Sequence, residues 1–578
     1  MKFIQSIILV SAISFAGCKK MIDLTPQSNI NSGTYYSNTS EISTALTGCY
    51  NGIQRSLADE WSLTELRSDN VIMGARASTS NVNRDLSDLD MFFPSTAHQG
   101  IYNYWLNTYY NIRNVNFVLN SLGVNYTESA GTLAFDPITI PVIAVDIKLL
   151  SAEASFIRAY HYFNLARLYG GVFLVHEPIS PEEAKALNRT TTADIYKLII
   201  ADLQNAAVNG SAAKFAAIPS ATLGRANSWA AKALLAKVYL TLNRKADAIP
   251  LLQDVIANSG YALQSSYASV FSITNEMNAE VIFAIRYKAG GIGLGSPFPN
   301  LFAPLNSGAA IANGDGRGYM FPSAELNNSY FSIAIPSASV KKDSTRVVLA
   351  AANAAILPGM AVTGTQIVTG TTVSAINGTV LTLSLPATAT LTTAALSISE
   401  SRKTISIGTF TGGILYPAKL ISNPAIANDG ENDWLVIRYA DVLLMLAEAQ
   451  GNSATSIALI NQTRTRARLA PLDPLVVNTV ALFEAELAKE RRLEFAFENQ
   501  RFFDLQRMNT TFTTFTLEQT IKDHFAVMYP LHYSLYPAPI LNLAQMQAFV
   551  IPNRMLLPIP QREIDNNTRI VIPQNPGY

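Results

Sequence analysis

The chain has 578 residues, more than one hydrophobic core usually supports, so two or more subdomains or a repeat array are expected. Lys plus Arg number 42 and Asp plus Glu number 42, a balance that leaves no charge excess to favour nucleic acid or an anionic membrane surface. The 24 Tyr, 26 Phe and 4 Trp are enough to fill cores and still leave a minority as exposed stacking surfaces.

Residues 1–17, MKFIQSIILVSAISFAG, place Lys2 ahead of an uncharged, mostly apolar run that ends in Ala16-Gly17. This is the pattern of a secretory signal peptide. The run falls short of the ~20 residues that a permanent membrane-spanning helix needs. Cleavage before Cys18 resembles the bacterial lipoprotein lipobox, with Phe15 where that motif usually has Leu; an ordinary secreted protein cut elsewhere is the alternative. Two or more acyl chains on Cys18 would anchor the protein stably. Cys49 is then the one remaining thiol, so no intramolecular disulfide is expected in the mature chain. Residues 18–40 are polar and turn-rich, and read as the lipidated cysteine and its tether.

Helical periodicity begins near Ile42. In SAEASFIRAYHYFNLARLYGG (151–171), Phe156, Ala159, Phe163 and Ala166 recur at three- and four-residue steps before Gly170-Gly171, which predicts a helix with a narrow, small-residue face. In 225–260, Trp229, Ala233, Ala236 and Leu240 share a face, and a second helix follows Asn243. In 437–469, Ala440, Leu443 and Ala447 align before Gly451. Such pairs resemble tetratricopeptide repeats without the strict consensus, unrelated helical hairpins being the alternative. Residues 347–399 contain no Asp, Glu, Lys, Arg or His, and Asn377-Gly378 between two apolar-alternating runs signals a tight hairpin, so this segment reads as a small β-rich insertion. It divides 41–346 from 400–578. Long stretches rich in Pro, Gly, Asn and Tyr, such as 289–308, predict ordered loops on a helical scaffold, where binding usually resides.

The sequence has no HExxH, GxSxG or GxxxxGK[ST] pattern, and His98, His161, His176, His524 and His532 show no metal-ligand spacing. His161 reads as a packing residue. The glycines of GGIGLGSP lack the following helix that a phosphate site requires. Asp429, Glu431 and Asp433 in DGENDW could surround calcium but lack the glycine and terminal glutamate of an EF-hand loop, so turn formation is favoured. No catalytic residue, metal or cofactor is assigned. In LAKERRLEFAFENQRFFDL (487–505), Arg491 with Glu494 and Glu498 with Arg501 are spaced to pair on a helix surface, which suggests a structural ion-pair lattice.

IRYADVLLMLAEA, INQTRTRARL, LAKERRLEFAFENQRFFDLQR and the terminal LLPIPQREIDNNTRIVIPQNPGY resemble, in that order, the signature of the RagB/SusD family of nutrient-uptake lipoproteins. ELRSDN (65–70), WLNTYYNIRNVN (105–116) and AEASFIRAYHYFNLARLYGGV agree with it. The resemblance implies a mainly α fold on four tetratricopeptide-like units with a loop-rich ligand face. It also implies a surface lipoprotein of the outer membrane that lids a SusC-like TonB-dependent β-barrel transporter and passes glycans or oligosaccharides inward without cleaving them.

Sugar chemistry then directs attention to exposed aromatic rings for pyranose C–H faces and to Asp, Asn and Arg for hydroxyls. The candidates are Asp69 and Asn70 in ELRSDN, Tyr102 and Trp105 near the next helix, and Tyr319 in GDGRGYMFP. Packing or turn formation is the competing role for each, and the favoured one for Trp105. Peptide capture on the same fold is the competing function. A surface hydrolase, or an adhesin working through the β insertion, comes from a different class.

Overall fold

The computed structural model describes residues 36–74, 81–138, 140–536, 541–567 and 569–578. The 1–17 leader, Cys18 and the first part of the tether lie outside the described residues.

Eight of the described helices form four antiparallel pairs: α1 (Thr39–Thr64) with α2 (Gln99–Ser121), α3 (Ala144–Tyr169) with α4 (Thr192–Asn209), α5 (Ser228–Thr241) with α6 (Lys245–Asn258), and α7 (Tyr439–Gln450) with α8 (Ala454–Arg466). Each pair stacks on the next, α2 on α3, α4 on α5 and α6 on α7. This is the mainly α, tetratricopeptide-like array anticipated from the alanine spacing.

Local chemistry explains the ends and the contacts. The Asn38 side chain accepts a hydrogen bond from the Glu41 amide and starts α1. Gly170 and Gly451, at φ +74° and +73°, terminate α3 and α7 in the left-handed region. At Gly52, α1 and α2 approach so closely that a Cβ would lie 2.2 Å from Oδ1 of Asn111. The Asn111 amide uses that space to donate to the Cys49 carbonyl at 2.9 Å and to Nε2 of His161 at 2.8 Å. His161 is therefore a buried packing residue, its imidazole pushed down to about 3 by burial. Cys49 is a buried free thiol, raised to about 12 for the same reason.

The narrow face expected of α3 is not observed. Nearly every side chain from Leu150 to Tyr169 is buried, because α1, α2 and α4 surround it. One of its polar groups, Arg158, is satisfied by a two-pronged ion pair to Asp202 of α4 at 2.8 and 2.7 Å.

The charges of 487–505 do form a structural lattice, but not by the expected pairing. Helix α9 (Val480–Glu494) ends before Phe497 and Asn499, which turn the chain with φ of +67° and +55°, and α10 starts only at Arg501. Glu498 and Arg501 thus share no helix. Instead Glu494 accepts from Arg438 at 2.9 Å and also pairs with Arg466, while Arg438 reaches Glu280 at 2.6 Å and Glu498 at 2.8 Å. Arg491 turns to Asp504 and Asp441, at 2.8 and 2.9 Å. Burial works against the charge on Glu494, yet Arg466, Arg438 and Arg402 hold its carboxyl well below the usual range.

The β segment is a six-stranded antiparallel sheet with its own core: β1 (Ser332–Val340), β2 (Arg346–Leu349), β3 (Ala361–Thr363), β4 (Val373–Asn377), β5 (Val380–Leu383) and β6 (Leu391–Ser399), ordered β3-β6-β1-β2-β5-β4. A boundary drawn at residue 347 from composition cuts through this sheet, because Lys341, Lys342 and Asp343 sit in the turn between β1 and β2 and Arg346 opens β2. In the β4–β5 hairpin Asn377 pairs with Val380, and Gly378 takes φ +58° in the two-residue turn. The sheet curls until its outer strands meet: Val362 N donates to Thr371 O and Val373 N to Met360 O, both at 2.9 Å. Closure protects the edges. Glu400 clamps the two roots, accepting from Phe331 N at 2.8 Å and from Nε of Arg402 at 2.7 Å, while Arg402 continues to Glu490 of α9 at 2.6 Å.

Candidate functional site

Helix α1 buries one stripe, Ile42, Leu46, Cys49, Ile53 and Leu57, and near its C-terminal end Asp59 and Ser62 stand between buried Leu57, Trp61 and Leu63. Antiparallel packing brings them to the start of α2. There His98 caps the helix: its Nδ1 accepts from Ile101 N at 3.2 Å, so Nε2 carries the proton and donates to the Asp85 carbonyl at 2.8 Å. Burial holds the His98 imidazole below its ordinary value, consistent with this neutral tautomer. One turn on, Gln99 donates to Oδ1 of Asn103 at 2.6 Å.

The opposite wall comes from the loops. Tyr319 N donates to Leu301 O at 3.0 Å and Gly318 N to Ala303 O at 2.9 Å, which fixes the tyrosine segment beside 300–303. Between these elements lies a cleft of about 200 Å³, lined by Asp59, Trp61, Ser62, Asp85, His98, Gln99, Asn103, Leu301 and Tyr319 among others. Tyr319 is half-buried; Trp61 is buried, its indole nitrogen donating to Ala58 O at 2.9 Å. Burial pushes the Asp59 carboxyl up to about 7, and the Asn103 amide offsets only part of that. The cleft therefore offers one ring face, several amide and hydroxyl groups and a carboxyl that changes charge near neutrality. It contains no paired nucleophile and base, and among the described residues no cluster of His, Cys, Asp and Glu could hold a metal ion.

Of the five expected ligand residues, only Tyr319 lines this cleft. Asp69 is 3% exposed, and its carboxylate is held by Arg501 at 2.7 and 2.8 Å and by Arg492 at 3.1 Å. Burial opposes ionisation there, but Arg492 and Arg501 keep the carboxyl well below the usual range. Asn70 is fully buried and accepts from Arg492 Nε at 2.9 Å. Both residues join the N-terminal segment to the helices after 480. Trp105 packs edge-on against Tyr169 and Phe173, at 5.0 and 5.8 Å, and donates to Glu563 at 3.3 Å. Tyr102 lies apart from the cleft, with the Arg562 guanidinium 4.8 Å over its ring. Asp59, Ser62, Gln99 and Asn103 escaped the sequence reading; their signal was polar residues interrupting apolar helix faces near a chain reversal.

The DGENDW carboxylates staple a loop. Asp429 accepts from Gly290 and Gly291 N, both at 2.8 Å, Asp433 accepts from Tyr287 N at 2.8 Å, and Glu431 pairs with Lys288 at 2.9 Å.

Two family models match the chain, one described as starch-binding associating with outer membrane over 22–240, the other as the SusD family over 383–578. The chain belongs to the SusD family. Among SusD-family relatives, SusD-like protein P25 of Formosa agariphila is 25% identical over 536 residues, covering 87% of this chain and 90% of its own length. Solved structures of SusD-like proteins share the fold. A laminarin-binding SusD-like protein aligns with TM-score 0.65 and 21% identity over 94% of this chain and 100% of that one. Surface glycan-binding protein A from Bacteroides thetaiotaomicron, in complex with laminarihexaose, aligns with TM-score 0.63 and 16% identity over 93% and 99%.

Proposed function

We propose that this SusD-family chain captures glycans or oligosaccharides in the Tyr319 cleft without cleaving them, and passes them to a SusC-like TonB-dependent transporter beneath it. The observation that carries the reading is the cleft itself, a ring face opposite amide, hydroxyl and carboxyl groups, which is the mixture that sugar C–H faces and hydroxyls require. Two kinds of likeness support it: solved SusD-like structures of the same fold that are described as glycan-binding, and a family description that places starch binding at the outer membrane. A lipid anchor on Cys18 would hold the protein at the outer face of that membrane; no described helix is long and apolar enough to cross one.

Asp59 and Asp85 both border the cleft, and an acid that keeps its proton near neutrality is also what a hydrolase would use. Binding with product analysis separates the two. The protein from Lys19 onward is titrated with a panel of neutral polysaccharides and oligopeptides. Saturable glycan binding, intact glycan after prolonged incubation and recovery of a large β-barrel with the native lipoprotein support the proposal. Cleavage products would move Asp59 into catalysis, and binding of peptides alone would replace the substrate class.

A further inference from the structure

A second cavity lies away from Tyr319, between the β unit and the end of α8, with a volume of about 570 Å³. That size falls within the ~300–1,000 Å³ typical of small-molecule sites. One wall is β3 and the loop that follows it toward β4, with Ile367, Val368, Thr369 and Thr371; the other carries Ile405, Arg466 at the end of α8 and Arg468 two residues on. No carboxylate lines it.

The two arginines differ. Arg466 is buried and committed, paired with Glu280 at 2.7 Å and with Glu494. Arg468 is exposed, and among the described residues its guanidinium has no ion-pair or hydrogen-bond partner. Its stem lies across Gly359, where a Cβ would come within 2.5 Å of Nε, so the β unit supplies a glycine at the one point where the arginine must pass. Arg468 itself takes φ +65°, a left-handed backbone that directs the chain back toward the sheet. The cavity is also preformed: Ser401 N donates to Ala467 O at 3.0 Å and Glu400 clamps the strand roots, so the walls are joined on the scaffold side.

We propose that this crevice is a second ligand site, one that takes a sugar residue bearing a carboxylate, with Arg468 as the anion contact and the partly exposed Ile367, Val368 and Ile405 surfaces against its C–H face. An unpaired guanidinium beside an acid-free cavity selects for an anion, and its fork matches a carboxylate. The choice of a sugar as carrier rests on the glycan-capture reading above, so the test keeps the two apart.

Calorimetric titration of the protein from Lys19 onward uses three probes: trigalacturonate, its methyl ester and trialanine. The variants are Arg468→Gln, Val368→Trp to fill the crevice, and Tyr319→Ala in the other cleft, each checked for an unchanged melting curve. Trigalacturonate is expected to bind about tenfold more tightly than its ester, to lose about tenfold in Arg468→Gln and Val368→Trp, and to be unaffected by Tyr319→Ala. Equal affinity for acid and ester, retention in Arg468→Gln, or no binding of trigalacturonate would overturn the site. Arg468-dependent binding of trialanine with none of trigalacturonate would overturn its sugar class. Neutral-glycan binding at Tyr319 is read independently and fails or stands by itself.

Discussion

Asp59 gives the cleft a pH dependence that can be worked out by sign. Its carboxyl is raised from 3.8 to about 7 by burial, so between those values the folded protein holds a proton that the unfolded chain has released. Folding stability from this group is therefore present at low pH and falls as pH rises toward 7. Sugar hydroxyls donate more strongly to the carboxylate than to the acid. Neutral-glycan affinity should accordingly rise between pH 6 and 8, with proton release on binding, and Asp59→Asn should flatten the profile; calorimetry in buffers of different ionisation enthalpy measures both. Tyr319, expected at the surface because it follows a glycine-rich turn, is half-buried and lines the cleft. Asp69 looked equally available, since nothing near it in the chain reports that Arg501, 432 positions later, will hold it.

Among the elements, the lattice joining α7, α8 and α9 has the most to lose from a single change. Arg438 stands among Glu280, Glu494 and Glu498, and Arg438→Met would leave three carboxylates buried with one cation fewer. The expected cost is about 3–5 kcal/mol, read by urea unfolding; a loss below about 1 kcal/mol would show that the lattice contributes little. The β unit behaves differently, because it has its own core, closed edges and adjacent roots at Phe331 and Glu400. Replacing 332–399 by a short Gly-Ser linker should preserve the helical circular dichroism and neutral-glycan binding while abolishing trigalacturonate binding. The helix pairs were legible from alanine and glycine spacing, as was the hairpin from Asn377-Gly378. The left-handed turn at Phe497 and Asn499 was not, since Asn tolerates that region but nothing in Phe497 signals it, and with it went the correct pairing of Glu498 and Arg501.

Over the whole molecule, burial and ion pairing divide the carboxylates into two opposing sets. Asp69, Glu494 and Asp504 are buried, but their arginine partners hold them well below the ordinary range. Their stabilisation is fully present above the unfolded carboxylate values near 4 and is lost as pH falls through the depressed folded values. Asp59 and Asp90 are raised by burial to about 7, so they oppose folding as pH rises toward that value. The melting temperature should thus peak between about pH 4 and 7 and fall steeply on the acid side, with the acid limb shallower in Asp69→Asn than in the parent protein. A melting temperature that holds constant down to pH 3 would contradict the role of the ion pairs. The family and its helical array were legible in ordered motifs spread across the chain; the cleft was not, because it assembles from α1, the start of α2 and a loop more than 200 positions away.

Capture without cleavage at the Tyr319 cleft is tested by titrating the parent protein and Tyr319→Ala with a neutral glycan from the screen and assaying the same samples for products. Saturable binding, a loss of about tenfold or more in Tyr319→Ala and no products are expected. Undiminished binding in the variant, or release of shortened sugars, would contradict that expectation.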